Sequence, residues 1–490
     1  MWNETERVVV RPTSRRLAGA AHDGGAPRVA GAAILAATLA IAGCEPIDRV
    51  QERFRAATAH EAYAHALAEA GLATTALARD WAAAARRALA RPTPVGVPYR
   101  ETGYLPPEAP AALGYRIEIG RGQRLVAELE FEPTGAGDAV RPADPPLVFM
   151  DLYRLGGDSA AVPYHEVSAD SGALRLEHEP WRGGTFVLRV QPELLRGGRY
   201  TLTIHNAATL TFPVDGADAR DIGSIFGDPR DGGRRDHQGV DIFAPRGTPA
   251  IAAVDGTVRR VRTTRLGGKV VWLRDRARNQ SLYYAHLDTQ LVRDGMRVRV
   301  GDTLGLVGNT GNARTTPPHL HFGVYRRGQG PVDPLPFLFA RDTVAPPVRA
   351  DPTLIGRWAR TTTNGARLRS APGRRASVIA ELPAQTALRI VAATGDWYRV
   401  RLPDGRRGHL FARLAEPLDG AVAERVIAAP ARIRARPTAG APVIDSIADH
   451  ARIPVLGRFG AFLLVRAPSG ATGWLATDRA VAVKAADADG

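Results

Sequence analysis

Cysteine is nearly absent from this 490-residue chain: Cys44 stands alone, so no intramolecular disulfide can form. Lysine is almost as scarce, at positions 269 and 484 only, and the formal charge of +15 rests on arginine scattered along the whole length. That scatter comes without a zinc-finger, helix-turn-helix or aromatic RNA-binding pattern, and so argues against nucleic-acid binding. It leaves a general attraction to anionic wall polymers or lipid surfaces, which salt should weaken. No apolar run reaches the length needed to cross a bilayer as a helix. At this length a single core cannot be assumed, and roughly three to five domains are expected.

The amino terminus reads as an address. Arg28 precedes an apolar stretch from Val29 to Ala42, which ends in Ile41-Ala42-Gly43-Cys44 and the charged Glu45. A positive charge, a hydrophobic segment too short to span and small residues at a cut site are the physical elements of an export signal. The segment resembles a bacterial lipoprotein signal, although the part before Val29 is longer and more polar than that pattern. The resemblance implies lipidation of Cys44, anchorage to a membrane facing the periplasm, and the outer rather than the inner membrane, since Glu45 gives no obvious retention signal.

Beyond this signal segment (1–44), residues 45–92 are rich in Ala, Glu and Arg, interrupted at Gly71 and closed by Pro92. They predict a helical hairpin serving as a spacer arm. From about Gly114 the period becomes two, as in Leu125, Ala127, Leu129 and Phe131 against Val126, Glu128 and Glu130. With Gly, Pro and Asp turns between such runs, residues 98–215 predict a β-sandwich accessory domain.

The last third repeats itself, ungapped, at a period of 65: Ala366-Arg367-Leu368-Arg369 lies over Ala431-Arg432-Ile433-Arg434, Trp397 over Phe462 and Gly408 over Gly473. Two small β-units are expected, at 356–417 and 421–484, after a linker at 341–355. Each resembles a bacterial SH3-like domain. Such domains often bind wall peptides, which makes Trp397, Phe462 and Trp474 candidate wall-binding residues, with a purely structural pair as the alternative. The fold class expected is mainly β and multidomain, with the helical hairpin in front.

The chemistry lies between these parts, in residues 216–340. Four of the twelve histidines fall between His237 and His321. His237-Gln238-Gly239-Val240-Asp241 supplies an imidazole and a carboxylate four residues apart. Val240 and the following Ile242-Phe243-Ala244-Pro245 favour extended chain over helix, so the pair must converge by local curvature, which Gly239 permits. His319-Leu320-His321 reads as strand, with both imidazoles on one face, and His286 ends another apolar strand. Spacing alone leaves open which of His319 and His321 would be a metal ligand.

Phe226-Gly227, His-x-Gly-x-Asp at 237–241, Tyr-x-His-Leu at 284–287, His-x-His at 319–321 and Val332-Asp333-Pro334 together resemble the lysostaphin-type (LytM-like) zinc peptidases, which cleave peptide bonds in peptidoglycan. The match spans about Phe226 to Pro334. Many relatives have Gly-Pro before the His-x-His, where this chain has Pro317-Pro318. The resemblance implies Zn2+ held by His237, Asp241 and His321, with catalytic roles for His286 and His319. Three protein ligands with a fourth position open mark a catalytic rather than a structural zinc site. A non-hydrolytic wall-binding relative that activates another hydrolase is the alternative, and the intact residue set argues for the enzyme. Gly247–Gly308 also resembles the barrels of biotin or lipoyl carriers, but the carrier lysine is missing; Lys269 lacks the flanking pattern.

Overall fold

The computed structural model describes residues 57–134, 147–156, 163–170, 172, 174–339 and 344–482. Cys44 and the export-signal reading lie outside them. From Thr58 onward the chain forms one compact unit.

Two helices open it, α1 (Ala59–Glu69) and α2 (Ala76–Ala90). Thr58 and Glu61 close a capping box on α1, and Thr75 caps α2. Gly71, at φ 72°, takes the left-handed turn between them. The hairpin is not the spacer arm expected from its composition. The face of α2 made of Ala78, Trp81, Ala84, Ala85 and Ala88 is buried. Its small side chains let the helix approach so closely that a Cβ on Gly114 would lie 2.0 Å from the Ala88 carbonyl oxygen. Trp81 stacks on His60 at 4.5 Å and donates its indole N–H to the Pro192 carbonyl.

The next strands form the expected sandwich. One sheet contains β2 (Leu113–Ile119), β4 (Val148–Arg154), β5 (Tyr164–Ser168) and β7 (Gly184–Pro192); the other contains β1 (Tyr99–Leu105), β3 (Gln123–Pro133), β6 (Arg175–His178) and β8 (Gly198–Ala208). Tyr115, Ile117, Leu125, Leu152, Phe186, Leu188, Leu202 and Ile204 pack between them.

The peptidase-like region is built on an antiparallel sheet. Its strands are β9 (Ile222–Ser224), β10 (Val240–Phe243), β11 (Gly256–Thr264), β12 (Gly268–Asp275), β13 (Gln280–Leu287), β14 (Arg297–Val298) and β15 (His319–Arg326), with Gly330–Val332 paired to β15. Across the sheet they run β9-β10-β15-β13-β12-β11-β14. Alternation sends Val240, Ile242, Val271, Leu273, Leu282, Tyr284, Leu320, Phe322 and Val324 into the core below. It therefore turns Asp241, Trp272, Tyr283, His319, His321 and Tyr325 to the opposite face.

The repeat holds strand by strand. β16 (Ala366–Arg369), β17 (Val378–Leu382), β18 (Ala387–Thr394), β19 (Trp397–Arg401) and β20 (Arg407–Phe411) recur 65 residues on as Ala431–Arg434, Val443–Ile447, Arg452–Phe459, Phe462–Arg466 and Thr472–Ala476. Ala350, Leu354 and Ile355, expected in the linker, are buried in the first unit's core. Trp474 is corrected as a wall-binding residue: it is 2% exposed, packed with Leu418, Leu456 and Leu464 between the two units. Its partner position in the repeat is His409, also 2% exposed, so this is an inward-facing place in both units. Trp397 and Phe462 are half-buried.

The first SH3-like unit is not a bead on a string either. β1 pairs with β18, Thr102 opposite Ala393 and Gly103 opposite Ala392, which extends the sandwich sheet into the unit. Beneath this seam the fully buried Glu101 accepts hydrogen bonds from Tyr99, Tyr115 and Tyr200 at 2.6–2.7 Å and pairs with Arg399 at 2.9 Å.

Candidate metal centre

Asp241 on β10 stands directly opposite His321 on β15, and Ala285 on β13 stands opposite His321 from the other side. His237 lies just before β10, in the curve anticipated for it. A Cβ on Gly239 would come within 2.4 Å of the Phe322 carbonyl oxygen and 2.8 Å of His321 Cε1, so only glycine lets the segment press against β15 there.

The result is a tight triad. His237 Nε2 lies 3.0 Å from Asp241 Oδ1 and 2.9 Å from His321 Nδ1, and His321 Nδ1 lies 2.9 Å from Asp241 Oδ1. The carboxylate's second oxygen accepts a charge-assisted bond from Arg230 Nη2 at 2.9 Å, and the same guanidinium donates to the Ser224 hydroxyl. This Arg230 contact had no signal in the sequence, because Arg230 belongs to none of the spaced motifs.

Backbone carbonyls orient the other rings. His237 Nδ1 faces the Ile225 carbonyl at 2.8 Å, His286 Nδ1 that of Thr310 at 2.9 Å, and His319 Nδ1 that of Pro317 at 2.9 Å. A carbonyl only accepts, so in each neutral ring Nδ1 carries the proton and Nε2 is the free lone pair. The Pro317-Pro318 pair thus supplies the carbonyl that sets His319. His286 sits at φ 62°, a left-handed conformation unusual for a residue with a side chain, and donates its backbone N–H to the Gly267 carbonyl. Its ring is 5.1 Å from that of His319 and 5.9 Å from that of His321.

Electrostatics sort the groups. Burial alone would raise the Asp241 carboxyl, but hydrogen bonds from His237 and His321 prevail and hold it far below the usual carboxylate range. Burial pushes His321 down despite Asp241 beside it. Burial, with His321 and His319 as neighbouring charges, pushes His286 down to about 4, so it is neutral at physiological pH.

His237, Asp241 and His321 can each offer one ligand atom, all within 4.8 Å of one another, and they are the set of this kind among the described residues. The donor chemistry fits a divalent metal. With Nδ1–H of His237 committed to the Ile225 carbonyl, Nε2 and the carboxylate oxygen face each other as two acceptors unless a second proton on the ring or a bound cation lies between them. His286 and His319 border the triad without joining it; His319 Nε2 stays 4.0 Å from Asp241 Oδ1.

Comparison with known proteins places this geometry in context. Residues 235–334 match the family model described as Peptidase family M23, and residues 364–414 that described as Bacterial SH3 domain. The L-Ala--D-Glu endopeptidase of Bacillus subtilis (strain 168) is 38% identical over 128 residues, 24% of this chain and 39% of that one. The peptidoglycan DD-endopeptidase ShyC of Vibrio cholerae serotype O1 is 42% identical over 86 residues, 18% of this chain and 19% of that one. The chain therefore spans well under two thirds of the length of these relatives. The catalytic domain of the antimicrobial peptidase lysostaphin from Staphylococcus simulans aligns at 29% identity and a TM-score of 0.23, over 25% of this chain and 97% of that one.

Proposed function

From a Peptidase family M23 domain at 235–334 followed by a bacterial SH3 domain at 364–414, we propose that this chain is a zinc metalloendopeptidase hydrolysing peptide bonds in the stem peptides or cross-links of bacterial peptidoglycan. The observation that carries the reading is the convergence of His237 Nε2, Asp241 Oδ1 and His321 Nδ1 beside two further histidines whose Nε2 atoms are free.

His237, Asp241 and His321 would hold the metal, which when bound supplies a Lewis acid for the substrate carbonyl and makes water a stronger acid. His286 and His319 divide the remaining work. One accepts a proton at Nε2, and the other, in the form that carries a proton on Nε2 as well as Nδ1, donates to the developing oxyanion; carbonyls at their Nδ1 atoms orient both rings. Purified protein should carry one zinc per chain and clear a suspension of sacculi, and an Asp241→Ala variant should do neither. Protein that binds sacculi without zinc and without clearing them would favour a non-hydrolytic wall-binding role instead.

Two further proposals concern placement. The first is that Cys44 carries a lipid anchor, the outer membrane being the expected site. Cys44→Ser should abolish acylation as read by mass spectrometry; wild-type protein without lipid would contradict it. The second is that the SH3-like pair holds the enzyme on peptidoglycan. Truncation after Pro352 is a poor test, because it would strip Arg399 from the buried Glu101. Point changes at the half-buried aromatic positions avoid this. Trp397→Ala with Phe462→Ala should weaken sedimentation with sacculi several-fold, and unchanged sedimentation would leave the pair structural.

A further inference from the structure

One step from the triad, on the same face of the sheet, stands a group of side chains that the metal centre does not use. The register sets Gly323 opposite Tyr283 and Tyr283 opposite Trp272, a row running outward next to the row that holds Asp241 and His321. Gly323 has no side chain, and the ring of Tyr325 leans across the space: a Cβ there would lie 2.9 Å from Tyr325 Cε2. The three rings touch. Trp272 and Tyr283 have centroids 4.5 Å apart at 38°, Trp272 and Tyr325 4.9 Å apart at 60°, and Tyr283 lies 5.8 Å from the ring of His321.

All three aromatics are half-buried, and none belongs to the core below, which takes their neighbours Val271, Leu273, Leu282, Tyr284 and Val324 instead. The two cations on β12 are turned elsewhere: Lys269 to the Asp288 carbonyl, and Arg274 to Asn279 and the Gln280 carbonyl. The Tyr283 hydroxyl is engaged by Thr264. Rings in mutual contact leave no slot for an ammonium group, so this is not a cation-binding cage. It is an aromatic shelf one row from the triad, bordered on β11 by the exposed Arg260 opposite Trp272.

We infer that Trp272, Tyr283 and Tyr325 form a stacking shelf for a pyranose ring of the substrate's glycan. The inference rests on the reading of the chain as a peptidoglycan peptidase. In a polymer of sugars carrying short peptides, the sugar ring is the element that offers a rigid apolar face wide enough for such a shelf, with hydroxyls left over for solvent. The shelf would thus select glycan-linked peptides over free ones.

The test uses the full chain, zinc-loaded and zinc-stripped, titrated calorimetrically with an N-acetylglucosamine tetramer. Saturable binding is expected in both forms, weakened about tenfold by Trp272→Ala and largely restored by Trp272→Phe. The ratio of hydrolysis rates on glycan-linked over glycan-free peptide should fall about tenfold in Trp272→Ala. No binding of the tetramer, equal binding by wild type and Trp272→Ala, or an equal loss on both peptide substrates would overturn the shelf; the last would assign it to peptide. Because binding is read without turnover, protein that binds the sugar but cleaves nothing refutes the peptidase reading alone. Protein that cleaves but ignores the sugar refutes the shelf alone.

Discussion

His319→Ala should reduce kcat/KM by about a hundredfold to ten-thousandfold, the range for a lost acid–base or oxyanion group, while zinc per chain is retained. His286→Asn should do the same. Asparagine is the better substitution there, because like histidine it adopts the left-handed backbone at φ 62° more readily than alanine does. His237→Ala, Asp241→Ala and His321→Ala should lose metal and turnover together, since two ligands cannot fix the site. The demanding comparison is His319 against His321, two residues apart on one strand. The structure separates them: His321 Nδ1 is 2.9 Å from Asp241 Oδ1, whereas His319 Nε2 is 4.0 Å away and its Nδ1 is tied to Pro317. Zinc measured side by side decides it. Loss in His319→Ala with retention in His321→Ala would reverse the assignment.

Arg399→Met should destabilise the unit that begins at Thr58 by about 3–5 kcal/mol, because it leaves the Glu101 carboxylate buried without its cation. Glu101 is fully buried among three tyrosine hydroxyls, and the Arg399 side chain is 12% exposed. Adding Glu101→Gln to Arg399→Met should recover part of the loss, since the buried charge is then gone. The midpoint of urea unfolding reads both. A shift equivalent to less than about 1 kcal/mol for Arg399→Met would mean that water reaches the pair and that the seam between sandwich and SH3-like unit is weak.

Local pattern made the fold class legible. Period-two runs became strands, and the 65-residue repeat became two units with matching strands. The site was legible for the same reason in part: His319 and His321 share a face because strands alternate, and Gly239 permits the approach of His237 to β15. What could not be read depends on partners distant in sequence. The α1–α2 hairpin looked like a spacer because its seam is mostly alanine, yet alanine is what lets α2 lie against Gly114. Trp474 looked like a wall-binding aromatic because nothing local says that a second copy of the unit will cover it. The pairing of β1 with β18, some 290 residues apart in sequence, leaves no periodic trace. Arg230 escaped for a related reason, since a residue that only holds a ligand's second oxygen has no fixed spacing to it.

The most direct measurement is mass spectrometry of the fragments released from purified sacculi, with and without a zinc chelator. The proposed function requires fragments in which a peptide bond has been newly broken and the glycan bonds are intact, absent with chelator and restored by added zinc. Cleaved glycan bonds, release that survives the chelator, or no release from protein that carries its zinc would contradict it.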